Sequence, residues 1–177
     1  VSIGAAYLAN YRFNKKKKRI IFHEKHNYYG PGFSRNEIKD EILKSKLKFY
    51  EFTKDLTKET AKYLSKGKLV GWFQGNMEFS HRALGNRSIL ADPRSSKVKD
   101  LVNQAIKFRE SFRPFAPAVL DREAYKIFHM KKNDKIYFME KAVKVRKVWR
   151  KKIPAITHID NTARVQTVNK SINPIFY

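Results

Sequence analysis

NMEFSHRALGNRSILADPRSS, residues 76–96, is the stretch whose reading decides the fold. Arg82, Arg87 and Arg94 stand among Leu84, Ile89 and Leu90, with His81 and Glu78 close by. A solvated loop has no use for that mixture, whereas an anion pocket walled by packed side chains does. SILADP, 88–93, reads as a strand, after a short helical turn that Ser80 can cap. From Ser96 onward Val98, Leu101, Val102, Ala105 and Ile106 recur at the spacing of one helix face, ending at Lys107. Strand, turn and amphipathic helix in that order predict an α/β domain, with α+β as the alternative.

Upstream, KLVGWFQG, 68–75, reads as a buried strand. A helix over 54–66 is expected before it, with Gly67 at the C-terminal cap position. Ser34 and Glu37 form a capping box for NEIKDEILKSK, and Gly30, Pro31 and Gly32 punctuate a turn. Ile3, Ala6, Tyr7 and Asn10 share a helix face. Residues 1–52 are expected to form a connecting region that leans on something else. Downstream, RPFAPAVL turns on two prolines into a strand. KIYFMEKAVKV (135–145), PAITHID (154–160) and RVQTV (164–168) are further strand candidates.

The bulk numbers exclude several classes. Across 177 residues a hydrophobic share of 42% supports a real core, so disorder along the whole chain is excluded. No apolar run approaches the roughly 18–20 residues needed to span a bilayer. No cysteine is present, which removes disulfides, thiolate metal sites and Cys nucleophiles and fits a cytoplasmic setting. The net charge of +23 welcomes anions. Its lysines are spread along the chain and read as a solvated surface, so the positions of the arginines carry more information.

Arg82 and Arg87 flank ALGN; Lys107, Arg109 and Arg113 follow the amphipathic helix; Arg164 precedes a short strand. Each group stands where a helix meets a strand or turn, the usual place for a ligand in α/β folds. Converging on one cleft, they would bind a phosphate or polyphosphate. The other reading is ordinary ion pairing with Glu78, Asp92, Glu110 and Asp121. His158 and Asp160 would share a face if THID were a strand, as a base pair or two metal ligands, but no third ligand is evident and a structural pair is the better reading. No Walker A or GxGxxG pattern is present, so no P-loop holds a nucleotide here.

Two long blocks carry a resemblance. GKLVGWFQGNMEFSHRALGNRSILADPRSSKVKDLVNQAIKFRESFRPFAPAVL and IPAITHIDNTARVQTVNKSINPIFY together resemble the C-terminal domain of the O-carbamoyltransferases, the nodulation and antibiotic-tailoring type. VSIGAAYLANY resembles the end of that family's N-terminal domain. The resemblance implies a YrdC-like open twisted sheet with flanking helices over 53–177. Residues 1–52 would be the remnant of a sugar-kinase/Hsp70-like carbamoyltransferase domain and a linker. It implies that carbamoyl phosphate and ATP, with Mg2+, are joined to carbamoyl adenylate for transfer to a hydroxyl acceptor.

Arg82, Lys107, Arg113 and Arg164 match positions that bind carbamoyl phosphate or nucleotide phosphates, with Arg87, Ser88 and Arg109 in second rank. No catalytic residue and no metal site are assigned to this chain; the family's metal belongs to the N-terminal domain. Ser80-His81 replaces the family's Gly-Pro, and Asp160-Asn161-Thr162 its Asp-Gly-Thr, where Asn tolerates positive φ. By this resemblance most of the N-terminal domain and a C-terminal block lie outside the sequence. The chain is therefore expected not to complete transfer without its N-terminal domain or a separate chain carrying it. An RNA- or tRNA-binding module and an inactive fragment are the alternatives; no membrane partner is expected.

Overall fold

The computed structural model describes residues 2–14, 25–51, 55–108, 110 and 115–177. Helices and strands are mixed, as the α/β reading requires. Three two-stranded ladders take the place of one broad sheet. β1 (Val70–Phe73) pairs antiparallel with β2 (Arg87–Leu90), Trp72 opposite Ser88. β3 (Ala118–Leu120) runs parallel to β6 (Gln166–Val168), Val119 opposite Thr167. β4 (Ala142–Lys144) is antiparallel to β5 (Thr162–Arg164).

The helices start and stop where their sequences dictate. α1 covers Ser2–Phe13 and α2 Arg35–Lys44; neither buries a residue. The capping box of α2 forms, Ser34 Oγ accepting from the Glu37 amide at 3.3 Å and the Glu37 carboxylate accepting from the Ser34 amide at 2.8 Å. α3 (Leu56–Ser65) closes with Gly67 at φ +75; the Gly67 amide donates to Leu64 O and the Lys68 amide to Tyr63 O. That pair of bonds satisfies two carbonyls the helix end would otherwise leave open.

α4 (Lys97–Val102) buries Val98 and Val102, two residues of the predicted face. Its last turn widens into a π turn over Asn103–Lys107, and the chain reverses at Phe108 in the left-handed region. Two one-turn helices that no periodicity announces, α5 (Ala124–Ile127) and α6 (Lys147–Arg150), follow.

The main core lies under β4 and β5. Phe128, Val145, Ile156, Ala163 and Val165 form it, with Trp149 and Phe115 packed against its edge. Two strand expectations need correction. PAITHID is a 3-10 turn over Pro154–Ile156 followed by a turn, because the His158 amide donates to Thr162 O and folds the segment back. Of 135–145 only 142–144 is strand; Ile136 is buried outside any ladder, its amide donating to Thr167 Oγ1. β1 is buried only at Trp72, its other residues being half or fully exposed.

Within residues 1–52, residues 27–31 are hydrogen-bonded to the start of the arginine loop. The Gly30 amide donates to Met77 O, the Met77 amide to Pro31 O and the Phe79 amide to Asn27 O, so residues 27–31 run as a strap along the start of the arginine loop. A Cβ on Gly30 would lie 2.9 Å from Met77, which explains glycine at this close approach.

Candidate functional site

The arginine loop is held by its polar residues. Glu78 is buried, and its Oε1 accepts from the amides of Leu84 at 2.6 Å and Asn86 at 2.8 Å. These two amides flank Gly85, whose φ is +110. Leu84 O accepts from Gln166 Nε2 at 2.8 Å, tying the loop to β6. The Asn86 side chain donates to Asn76 O and accepts from Gln74 and Asn173. No helical turn forms at Ser80; instead its hydroxyl accepts from the Arg82 amide at 3.2 Å, an ST-type turn.

Beside this loop lies a cavity of about 510 Å3, mainly apolar, walled by α3, the β1–β2 ladder, α4 and the β3–β6 ladder. Pockets of about 300–1,000 Å3 with apolar walls and a few polar groups are the usual seats of small ligands. Ser88 lines the cavity directly. Ala83 lines it next to Arg82, Val102 lines it just before the turn that ends at Lys107, and Phe115 lines it two positions after Arg113. Among the described candidate residues Ser88 is itself on this wall; Arg82, Arg87 and Arg164 are not, and residues flanking Arg82, Lys107 and Arg113 are.

The individual residues differ. Arg82 is half-buried and is paired with no carboxylate among the described residues. Arg87 is committed elsewhere: Nη1 donates to the carbonyls of Gln74 and Asn86, Nη2 to those of Gly75 and Pro31, and the guanidinium lies 3.5 Å from the Phe73 ring centre. Four of the roughly five N–H groups of an arginine are then used on the main chain, which makes Arg87 a clamp of the β1–β2 end. Ser88 Oγ accepts from the Gly85 amide at 3.0 Å. Lys107 closes the π turn. Arg109 and Arg113 lie outside the described residues. Of the acidic residues weighed as arginine partners, Glu78 is engaged by amides and Asp121 by Lys135 at 2.8 Å, whereas Asp92 does pair with Arg94.

Arg164 is half-buried on β5 and within electrostatic reach of His158, as is Lys99 of α4, a cation that spacing did not single out. His158 and Asp160 are linked through Thr162, whose Oγ1 is 3.2 Å from His158 Nδ1 and 2.8 Å from Asp160 Oδ1. Asn161 adopts φ 63, the positive value expected where the family has glycine. Burial holds His158 below the ordinary histidine value of 6.5; Arg164 and Lys99 add to this, against the Phe115 carbonyl and Asp160.

A histidine depressed in the folded state favours folding while neutral. Its contribution is present above about pH 6.5 and is lost as pH falls through the lower folded value. We expect the melting temperature to fall below pH 6.5, and His158→Asn to flatten that part of the profile.

No group of three or more His, Asp or Glu side chains is placed to hold a metal among the described residues. No helix among them is long and apolar enough to cross a membrane.

Residues 61–177 match the model of the carbamoyltransferase C-terminus family, and the chain belongs to that family. It is 42% identical over 154 residues to an uncharacterized protein of Methanocaldococcus jannaschii, covering 85% of this chain and 25% of that protein. It is 44% identical over 124 residues to the nodulation protein NolO of Bradyrhizobium diazoefficiens, covering 70% of this chain and 23% of that one. With the nodulation protein NolNO of Sinorhizobium fredii the identity is 36% over 179 residues, 99% of this chain and 26% of that protein. The chain therefore spans about a quarter of the length of these curated relatives.

Proposed function

We propose that the cavity binds ATP and carbamoyl phosphate and forms carbamoyl adenylate, as the activating part of a carbamoyltransferase with a YrdC-like domain. The observation that supports this reading is that Ser88 and residues flanking Arg82, Lys107 and Arg113 line one mainly apolar space. The apolar walls suit a purine, and cations around them suit phosphates. Burying a small dianion needs several charge-assisted hydrogen bonds to offset its desolvation. In the reaction one water is consumed, inorganic phosphate and pyrophosphate leave, and the carbamoyl oxygen becomes bonded to the α-phosphorus.

The chain's own part is to hold both anions and spread the developing charge over Arg82, Lys107, Arg113 and Arg164. Magnesium would arrive on the polyphosphate of ATP. An N-terminal carbamoyltransferase domain, on this polypeptide or another, would pass the carbamoyl group to a hydroxyl, and a cytoplasmic setting for this biosynthetic chemistry is part of the proposal.

Isothermal titration with ATP and with carbamoyl phosphate tests the reading. Saturable binding that weakens about tenfold or more in Arg82→Ala is expected, the loss of one charge-assisted bond. Heats that vanish in moderate salt and ignore that substitution would mean diffuse attraction to a +23 surface.

A further inference from the structure

Glu78 is a buried carboxylate, 5% exposed, on a loop whose arginine is assigned to an anion. A buried charge is costly unless paired or well hydrogen-bonded. Two main-chain amides supply the bonds here: those of Leu84 and Asn86, at 2.6 and 2.8 Å, converge on one oxygen. Amides on either side of one residue pointing at a common anion make a backbone concavity of the kind that holds phosphates. In this loop its occupant is the chain's own carboxylate.

We propose that Glu78 is a positioning residue for Arg82: by occupying the concavity around Gly85 it closes residues 78–86 into a loop of fixed shape and presents Arg82 to the ligand. The inference rests on the anion-binding reading above. Its geometry is local and specific. Leu84, Gly85 and Asn86 are buried, while His81 and Ala83 are exposed and Arg82 is half-buried between them. The far end of the loop is anchored independently, by Gln166 on Leu84 O and by Gln74 and Asn173 on the Asn86 amide group. Glu78 ties the near end to those anchors at the backbone, beside the bond from the Asn86 side chain to Asn76 O at 2.7 Å. The two amides need an acceptor at the reach of a glutamate; the negative charge itself is secondary. Glutamate and glutamine share that reach and an acceptor oxygen. Methionine has the reach without a comparable acceptor, and aspartate has the acceptor without the reach.

The experiment titrates the full chain with carbamoyl phosphate in four variants, with amide exchange at Leu84 and Asn86 read alongside. Glu78→Gln is expected to bind within about twofold of the parent and to keep both amides protected. Glu78→Met is expected to weaken binding about tenfold, the worth of one hydrogen bond in affinity, and to expose both amides while core amides such as Val165 stay protected. Should Glu78→Met not fold, Glu78→Asp takes its place with the same expectation.

A tenfold loss in Glu78→Gln, or parent-like binding in the Met or Asp variant, overturns the proposal. Arg82→Ala is the fourth variant. If it binds like the parent, the anion reading fails and takes the presentation of Arg82 with it. If it loses binding while Glu78→Met does not, the anion reading stands and the role of Glu78 falls.

Discussion

Phe128→Ala should destabilise the domain by about 3–5 kcal/mol, the usual cost of emptying a core phenylalanine site. Phe128 is 1% exposed and packs in one cluster with Val145, Ile156, Ala163 and Val165. Its main chain is fixed as well: the amide donates to Ala124 O at 2.8 Å, and the residue bridges to Val145. The surroundings therefore have little freedom to collapse into the vacated space. Domains of this size are stable by about 5–15 kcal/mol, so the loss is a large share of the total. Urea unfolding should show a midpoint lower by about 2 M at a slope near 2 kcal/mol/M. A shift under about 0.5 M would mean that the cluster is not the core.

Asp121→Ala should cost about 2 kcal/mol, at the lower part of the range for hydrogen bonds to a charge because its partner Lys135 is about one-third exposed. Asp121 Oδ2 accepts from Lys135 Nζ at 2.8 Å and Asn169 Nδ2 at 2.6 Å, and its amide donates to Val168 O. It thus holds the end of β3 to the end of β6. Burial alone would raise its titration point; the hydrogen bonds from Lys135 and Asn169 and the ammonium charge outweigh burial and leave it below 3.8.

A carboxylate depressed in the folded state stabilises when ionised. Its contribution is full above the unfolded value near 3.8 and lost as pH falls through the lower folded one. The parent should lose this stability only below about pH 4, and the alanine variant should already lack it at neutral pH. Equal stability of the two at pH 7 would show that the pair contributes nothing.

What the sequence made legible, and what it hid, follows from the range of the forces involved. Local chemistry was readable: the Ser34–Glu37 box and the stop at Gly67 each depend on residues within a turn or two, whereas of the expected α4 face only Val98 and Val102 are buried, Leu101 and Ile106 stay exposed and the α-helix ends at Val102. The PAITHID segment misleads because its apolar residues are buried by a turn, closed by His158 and Thr162, and periodicity cannot tell a buried turn from a buried strand. In the site, Arg82 is singled out by residue type and neighbourhood and Ser88 by resemblance; Ser88 and Ala83, the neighbour of Arg82, stand on the cavity wall. The commitment of Arg87 was hidden, since its four carbonyl partners include Pro31, far away in sequence. Glu78 looked like an ion-pair candidate, and only the backbone path around Gly85 shows that amides claim it.

The parallel pairing of β3 with β6 has a consequence for how the protein is made. One wall of the cavity, β3, leaves the ribosome well before its partner at Gln166–Val168, and the Gln166 side chain that anchors Leu84 arrives with that partner. Contacts so distant along the chain form slowly, and apolar strand edges wait unpaired until they do. During synthesis the arginine loop and the apolar cavity walls are therefore present before they can be closed. That interval, more than the finished fold, is when a chaperone or a neighbouring domain has most to protect.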